Sequence, residues 1–349
     1  MVINLFKYFF SIQLLITNGI FFIPASTLAE TAIMQQNISF SDPDYVEIMP
    51  EQWLKQAIHY KKLPDNTDLA ISLDQQLYPA LVPLIKDYAR KNHLRIAVSE
   101  GTCGISAGAL LDKSVDIGGF CCPAGETDRL PGLKYHTLGI AAIALIVHPD
   151  NTISNISLTQ ARMIFSGQTG KWQETEQLTS EASKKEFNKT PSAIQPIARL
   201  HCKTRPGHWR LILDNEDEFT PTMDEVATIP DMISHVAHDT QAIGYETLWM
   251  TRLYEQQIGK VGLLKVNGYS PEDQQAVLTG QYPFYRTYNI SSWTHPDLKK
   301  ETATALVTYI QDNFQTIDQK YAFISANQLK KYGWKFADDE LIGEPQTSK

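Results

Sequence analysis

The sequence lacks an excess of positive charge. Its 349 residues include 31 lysines and arginines against 39 aspartates and glutamates, which gives a formal net charge of −8. A nucleic-acid partner requires a basic face for the phosphate backbone, so this charge argues against one. A small anionic ligand is still compatible with it, because a few cations in a cleft outweigh a distant surface charge.

After the first 29 residues, no apolar run reaches the ~18 residues that a membrane-spanning helix needs. Within 1–29 the only charge is Lys7, and apolar residues run from 8 to 16 and again from 19 to 23. This pattern predicts a signal peptide that is cleaved near Ala29, and hence an exported protein. The segment is short, and it carries too many polar residues, for an uncleaved membrane anchor.

Two common motifs of catalytic sites are also missing, the P-loop and the His-Glu-x-x-His helix. Cys202 could pair with His201 or His208 as an activated nucleophile. However, the side chains of residues that are close in sequence rarely face each other in the geometry that a nucleophile and its base require. We therefore expect a binding protein without a cofactor, and not an enzyme.

Segments with strand and helix character alternate along the chain. Residues 69–73, 94–98 and 115–119 have the composition of strands. Residues 51–62, 77–92 and 317–331 have the apolar spacing of helices, and Ser157 is the predicted N-cap of a further helix. Residues 139–147 form a nearly continuous apolar run, which is typical of a strand buried on both faces. The alternation predicts the α/β class with a mostly parallel sheet.

Five segments, taken in order, resemble phosphate-type periplasmic solute-binding proteins of ABC importers. They are residues 69–88, 104–118, 147–172, 241–245 and 280–286. The resemblance implies a two-lobed periplasmic-binding-protein type II fold with a ligand cleft between the lobes, and a periplasmic location. It also implies a small phosphate-like ligand and an inner-membrane ABC permease as partner. A sensor or interaction module without a transport role is the alternative.

The same resemblance divides the chain into a signal peptide, an N-terminal extension, two lobes and a tail. The expected boundaries are 1–29 for the signal peptide, 30–66 for the extension, 67–146 plus 267–335 for lobe 1, 147–266 for lobe 2, and 336–349 for a flexible C-terminal tail.

Four loops of the resembling segments carry the candidate ligand residues. The family's first loop is rich in glycine, serine and threonine, whereas here two glutamine amides offer donors and Asp74 adds a negative charge that would face an anion. Cys103 stands where the family has a serine, and Arg199 stands where it has a ligand-binding arginine. The predicted ligand residues are Asp74, Gln75, Gln76, Thr102, Cys103, Gly104, Cys121, Cys122, Arg199, His201, Cys202, Lys203, Arg205 and His208.

All four cysteines of the chain fall in these loops. Export and an even count favour disulfides, for example from Cys103 to Cys121 or Cys122, with a second bridge to Cys202. Alternatively, thiolates together with His201 or His208 hold a soft metal or metalloid. A redox-active Cys121–Cys122 pair, or a thiol that touches the ligand, is the third interpretation. The candidate metal ligands are therefore the four cysteines and the two histidines.

Overall fold

The long strand β4 (Leu133–Val147) joins the two halves of the sheet in the computed structural model, which describes residues 39–175 and 193–346. Its first part pairs with β10 (Tyr285–Trp293), and its last five residues pair with β8 (Ala242–Thr247). The last three also pair with β9 (Gly262–Val266). Every residue from Tyr135 onward is buried, so the prediction of a strand covered on both faces is confirmed.

The other strands are short. They are β1 (Leu69–Asp74), β2 (Ile96–Gly101), β3 (Ile117–Phe120), β5 (Asn155–Ile156), β6 (Gln195–Ala198), β7 (Asp224–Glu225), β11 (Ile324–Ser325), β12 (Lys335–Ala337) and β13 (Glu340–Gly343). The main sheet has the order β2–β1–β3–β10–β4–β8–β6–β7; β11 and β9 lie beside β4, and β5 pairs with β9.

Strand direction decides which loops meet. Strands β1, β2 and β3 are parallel, whereas β10 is antiparallel to both β3 and β4. Strand β4 is antiparallel to β8, and β8 is parallel to β6. Strand β6 therefore runs opposite to β1–β3. Because β6 lies on the other side of β4 from β1–β3, its carboxyl end points towards the carboxyl ends of β1–β3.

Helices connect the strands, and one of them starts at the predicted capping residue. Ser157, predicted as an N-cap, caps a helix in a capping box with Gln160. The helices are α1 (Glu51–Leu54), α2 (Tyr78–Lys91), α3 (Cys103–Leu111), α4 (Leu158–Phe165), α5 (Trp172–Thr175), α6 (Ile229–His238), α7 (Leu248–Tyr254), α8 (Gln274–Leu278), α9 (Glu301–Asn313) and α10 (Ala326–Lys331). Short 3₁₀ turns lie at Glu126–Asp128, His208–Leu211, Glu216–Glu218, Phe314–Thr316 and Gln319–Tyr321. Among the described residues no helix is long and apolar enough to cross a bilayer.

Two large hydrophobic cores divide the sheet between two lobes, and a smaller cluster packs α2 against α6 and α7. One core gathers apolar residues of β1, α2, β3 and α9. The other gathers those of α4, α6, β8 and the second half of β4. The α/β class and the two-lobed fold are thus confirmed, while the exact lobe boundaries given above remain predictions. The expectation of a mostly parallel sheet is wrong, because β4 and β10 pair antiparallel with their neighbours and make the sheet mixed. The predicted signal peptide and residues 30–38 of the extension lie outside the described residues.

The described part of the N-terminal extension packs against the first of these cores. Trp53 donates to the carbonyl of Leu111 at 2.7 Å and lies 6.2 Å from Trp293, ring centre to ring centre. The ammonium group of Lys113 donates to the carbonyls of Trp53 and Gln56. Gln56 also donates its backbone N–H to the carbonyl of Trp53, three residues back, in place of the four-residue bond of an α-helix. The helix consequently ends at Leu54, and the expectation of one helix over 51–62 is wrong.

The C-terminal region corrects two further expectations. Residues 336–346 of the predicted flexible tail are ordered, because β12 and β13 form a hairpin whose Leu341 is buried. Glu340 of this hairpin also pairs with Arg129 at 2.7 Å. The expected helix over 317–331 is interrupted, since Ala322 adopts a left-handed conformation (φ 50°) and β11 follows it.

Candidate functional site

The four predicted loops follow the carboxyl ends of β1, β2, β3 and β6. Asp74 ends β1, Cys103 opens α3 after β2, and Cys121 and Cys122 follow β3. Cys202 follows β6 in a left-handed conformation with φ 58°. Because β6 points towards β1–β3, these loops face one another across the boundary between the two cores.

The structure brings all four cysteines together. The sulfur atoms of Cys103 and Cys121 are 3.3 Å apart, and the backbone N–H of Cys121 also donates to the sulfur of Cys103. The sulfur atoms of Cys103, Cys122 and Cys202 all lie within 4.8 Å of one another. An oxygen of Asp74 forms a second such group with Cys103 and Cys121.

The four thiols are free, so the disulfide expectation is not what the structure shows. A disulfide requires one sulfur to approach one partner to about 2.05 Å. Here each sulfur contacts several neighbours instead. Cys103 hydrogen-bonds with Cys121, Cys122 and Cys202, and these contacts raise the pKa of its thiol. The arrangement is that of a shared thiol cluster and not of two separate bridges.

Two of the thiols are held towards their anionic form. Burial opposes ionisation of Cys121, but hydrogen bonds from Cys103 and Cys122 and the charge of Arg286 hold its pKa well below the usual range. Hydrogen bonds from Cys103 and Cys122 also lower the pKa of Cys202, and His201 adds to the effect. The cluster therefore combines thiol donors with thiolate acceptors.

Two buried arginines flank the cluster and share one carboxylate. Arg286 is completely buried, and one of its Nη atoms donates to the sulfur of Cys121 at 3.1 Å. Its other Nη lies 3.8 Å from Glu246, and Arg199 donates to the same carboxylate at 3.2 Å. Although burial opposes it, the charges of Arg199 and Arg286 lower the pKa of Glu246. Thus two guanidinium groups face one carboxylate and one thiolate.

The two predicted histidines form a pair. Their ring centres are 4.6 Å apart, and Nδ1 of His201 lies 3.1 Å from the carbonyl oxygen of Arg199. Burial and Arg199 oppose protonation of His201, but Cys121 and Cys202 raise its pKa. Burial lowers the pKa of His208 well below its ordinary value, and neither of its ring nitrogens has a hydrogen-bond partner.

The first loop lies at the same boundary, although its charge differs from the expectation. Burial and the neighbouring Cys121 raise the pKa of Asp74 well above its ordinary value, which holds the carboxyl group towards its neutral form. The carbonyl oxygen of the Gln76 side chain accepts from Tyr288 at 2.7 Å and from Thr247 at 2.9 Å. Gln75 is only half-buried and donates its backbone N–H to the carbonyl of Gly101.

The remaining predicted ligand residues lie away from the buried centre or are already paired. Thr102 and Gly104 are exposed, and Thr102 caps α3. Lys203 is exposed and lies 3.5 Å from Glu216. Arg205 is buried but donates to Asp128 at 2.5 Å, so this guanidinium serves an ion pair between two loops.

Sequence reasoning missed three residues of this centre. Arg286 lies in a family-like segment, and Glu246 directly follows another, but neither was assigned to the site. Asp128 had no signal of its own. One motif was also overlooked, since residues 104–108 have the spacing Gly-x-Ser-x-Gly. Its Ser106 lies inside α3, buried and donating to the carbonyl of Ser72, so it is not an exposed nucleophile.

A family model places this geometry among known proteins. The model of the PBP superfamily domain matches residues 61–313. The chain belongs to this superfamily. The match covers the strands β1–β3 and β6 that present the four ligand loops, so the resemblance to periplasmic binding proteins read from the sequence is confirmed. A comparison with curated proteins gave no match.

Solved structures of low sequence identity share the PBP fold. An ABC-type phosphate transport receptor from Vibrio cholerae is 17% identical, with a TM-score of 0.56 and coverage of 74% of this chain and 99% of the receptor. A Clostridium perfringens structure with bound phosphate is 18% identical, with a TM-score of 0.58 and coverage of 74% and 99%. PstS from Borrelia burgdorferi is 16% identical, with a TM-score of 0.50 and coverage of 74% and 98%.

Proposed function

We propose that the chain is an exported, periplasmic solute-binding protein that closes its lobes on a small anion, phosphate or a related oxyanion, for an ABC-type importer. The observation that carries the proposal is a set of buried nitrogen atoms without hydrogen-bond partners around Glu246. They are Nε of Arg199, Nε and Nη2 of Arg286, Nε2 of Gln76 and both ring nitrogens of His208. Buried polar atoms without partners are costly, and a ligand with several acceptor oxygens would satisfy the donors among them, including the one N–H of a neutral His208.

The fold supports the same proposal. In open α/β sheets ligands bind beyond the carboxyl ends of strands, which is where these atoms lie. Two of the solved structures that share the fold are described as a phosphate transport receptor and as a phosphate complex. The apolar N-terminal segment supports export. Binding by lobe closure requires no catalytic step, so we propose a binder and not an enzyme.

Replacement of Arg199 tests the anion directly. We expect Arg199→Ala to weaken phosphate binding by about 2 kcal/mol, roughly 30-fold, because a charged hydrogen-bond donor is lost from a buried site. Arg199→Lys should also weaken it, since an ammonium group cannot reproduce the planar paired donors. Titration calorimetry with inorganic phosphate under reducing conditions measures the affinity of both variants.

Arg210→Ala is the matched control. This guanidinium donates only to backbone carbonyls, those of Arg205, Lys203 and Asp214, and lies over the ring of Trp209. Its removal should leave phosphate affinity within about twofold, the scale of a surface substitution. Unchanged affinity in both Arg199 variants, or no phosphate binding by the unaltered protein, would refute the oxyanion proposal.

A further inference from the structure

Three of the four thiols have a geometry that an oxyanion site does not require. The sulfur atoms of Cys103, Cys122 and Cys202 lie within 4.8 Å of one another. A thiolate lies about 2.3 Å from a first-row metal ion that it binds, so three sulfurs around one ion are about 4 Å apart. The three sulfur atoms, called the trio below, therefore need to move little to surround one ion.

We propose that Cys103, Cys122 and Cys202 form a three-coordinate thiolate site for a soft metal ion, with Cu(I) as the ion of matching chemistry. Soft thiolate ligands select Cu(I) over hard cations, and they favour it more than oxygen or nitrogen ligands do. A structural zinc site would instead call for four ligands. Among the described residues no histidine nitrogen shares the mutual spacing of the three sulfurs, and we place His201, which contacts Cys202, outside the coordination sphere.

The surroundings of the trio favour a bound ion with anionic ligands. Cys103 and Cys122 are buried to 1% exposure, whereas Cys202 is only half-buried and offers a route of entry. Arg286 and Arg205 lie beside the cluster, and each retains at least one nitrogen without a hydrogen-bond partner. Three thiolates around a monovalent ion carry a net negative charge, which these guanidinium groups offset.

The fourth cysteine has a different partner. The sulfur of Cys121 accepts a hydrogen bond from Arg286, and it belongs with Asp74 to a second group that shares only Cys103 with the trio. We therefore place Cys121 outside the coordination sphere, where it positions Arg286. Binding would replace whatever protons the three sulfurs still carry, which pass to solvent, and no electron is transferred. The metal ligands of this inference are the three sulfur atoms, and the unpartnered nitrogens of Arg286 and Arg205 serve only to offset their charge, so it does not require phosphate binding.

Competition titration with Cu(I) tests the assignment. The full chain is reduced, kept anaerobic and titrated against a chromophoric Cu(I) chelator. We expect one Cu(I) per chain, at least a 100-fold loss of affinity in Cys202→Ser, and a change below tenfold in Cys121→Ser. X-ray absorption of the loaded protein should show sulfur neighbours without nitrogen.

Control measurements distinguish the loss of a metal ligand from misfolding of the variant. Thermal unfolding establishes that each variant is folded, and Cys122→Ser replaces Cys202→Ser if the latter is not. Absence of Cu(I) binding, equal affinity in Cys202→Ser, or an equal loss in Cys121→Ser would overturn the three-thiolate site. Phosphate titration of the same variants separates the two proposals, since Arg199→Lys should weaken phosphate binding and retain Cu(I) affinity, whereas Cys202→Ser should lose Cu(I) affinity.

Discussion

Arg286→Ala is expected to lower the free energy of unfolding by about 3–5 kcal/mol, the usual cost of removing one partner of a buried ion pair. The substitution leaves the carboxylate of Glu246, which is 1% exposed, with Arg199 as its remaining cation. It also removes the donor to the sulfur of Cys121. Urea denaturation measures the loss, and phosphate titration should show that binding is lost as well.

A surface ion pair provides the control for this prediction. Arg252 pairs with Glu272 at 2.6 Å, and both side chains are about half exposed. Arg252→Ala should therefore cost less than about 1 kcal/mol, because water screens and replaces the lost partner. If Arg286→Ala costs no more than Arg252→Ala, Arg286 does not hold the buried charge network together.

Arg205→Ala is expected to open the cleft. Arg205 lies in the loop after β6, and its partner Asp128 lies in the loop after β3, so their ion pair joins the two lobes. The loops also touch at Gly125, where an added Cβ would lie 2.3 Å from the carbonyl oxygen of Thr204. Losing one partner of this buried pair should cost about 3 kcal/mol, which corresponds to roughly a 150-fold shift from closed to open protein.

Distances between the lobes measure this shift. Spectroscopic labels at the exposed positions 86 and 265, introduced as unnatural amino acids, leave the four cysteines unmodified. The distance between the two labels should lengthen in Arg205→Ala. It should remain unchanged in Arg95→Ala, because the exposed ion pair of Arg95 with Asp68 lies within one lobe. An identical distance distribution in Arg205→Ala and the unaltered protein would argue against a latch between the lobes.

Much of the fold could be predicted from the sequence because its strongest signals are local. The apolar run at 139–147 predicts a buried strand, and the alternation of strand and helix segments predicts the α/β class. The extension and the C-terminal hairpin were not predicted correctly. Their structure depends on distant partners, such as Lys113 for the extension and Arg129 for the hairpin. A local pattern carries no information about such contacts.

The site could be predicted to the level of its loops. Family resemblance indicated the four loops that carry the cysteines, and the strand directions bring those loops together. The charge network was not predicted, because Arg286 lies 165 positions from Cys121. Burial also changed the expected charge of Asp74, which a sequence cannot show. The state of the thiols was left open, since disulfides, metal ligands and redox pairs all require the same proximity.

Native mass spectrometry of the full chain, purified anaerobically from its own cells, tests the central claim that this boundary between the lobes is a thiol-lined ligand site. The account predicts a bound small mass on the folded protein and four cysteines that all react with an alkylating reagent once the protein is unfolded without reductant. Cysteines that stay blocked until reductant is added, together with a folded protein that carries no extra mass, would contradict it.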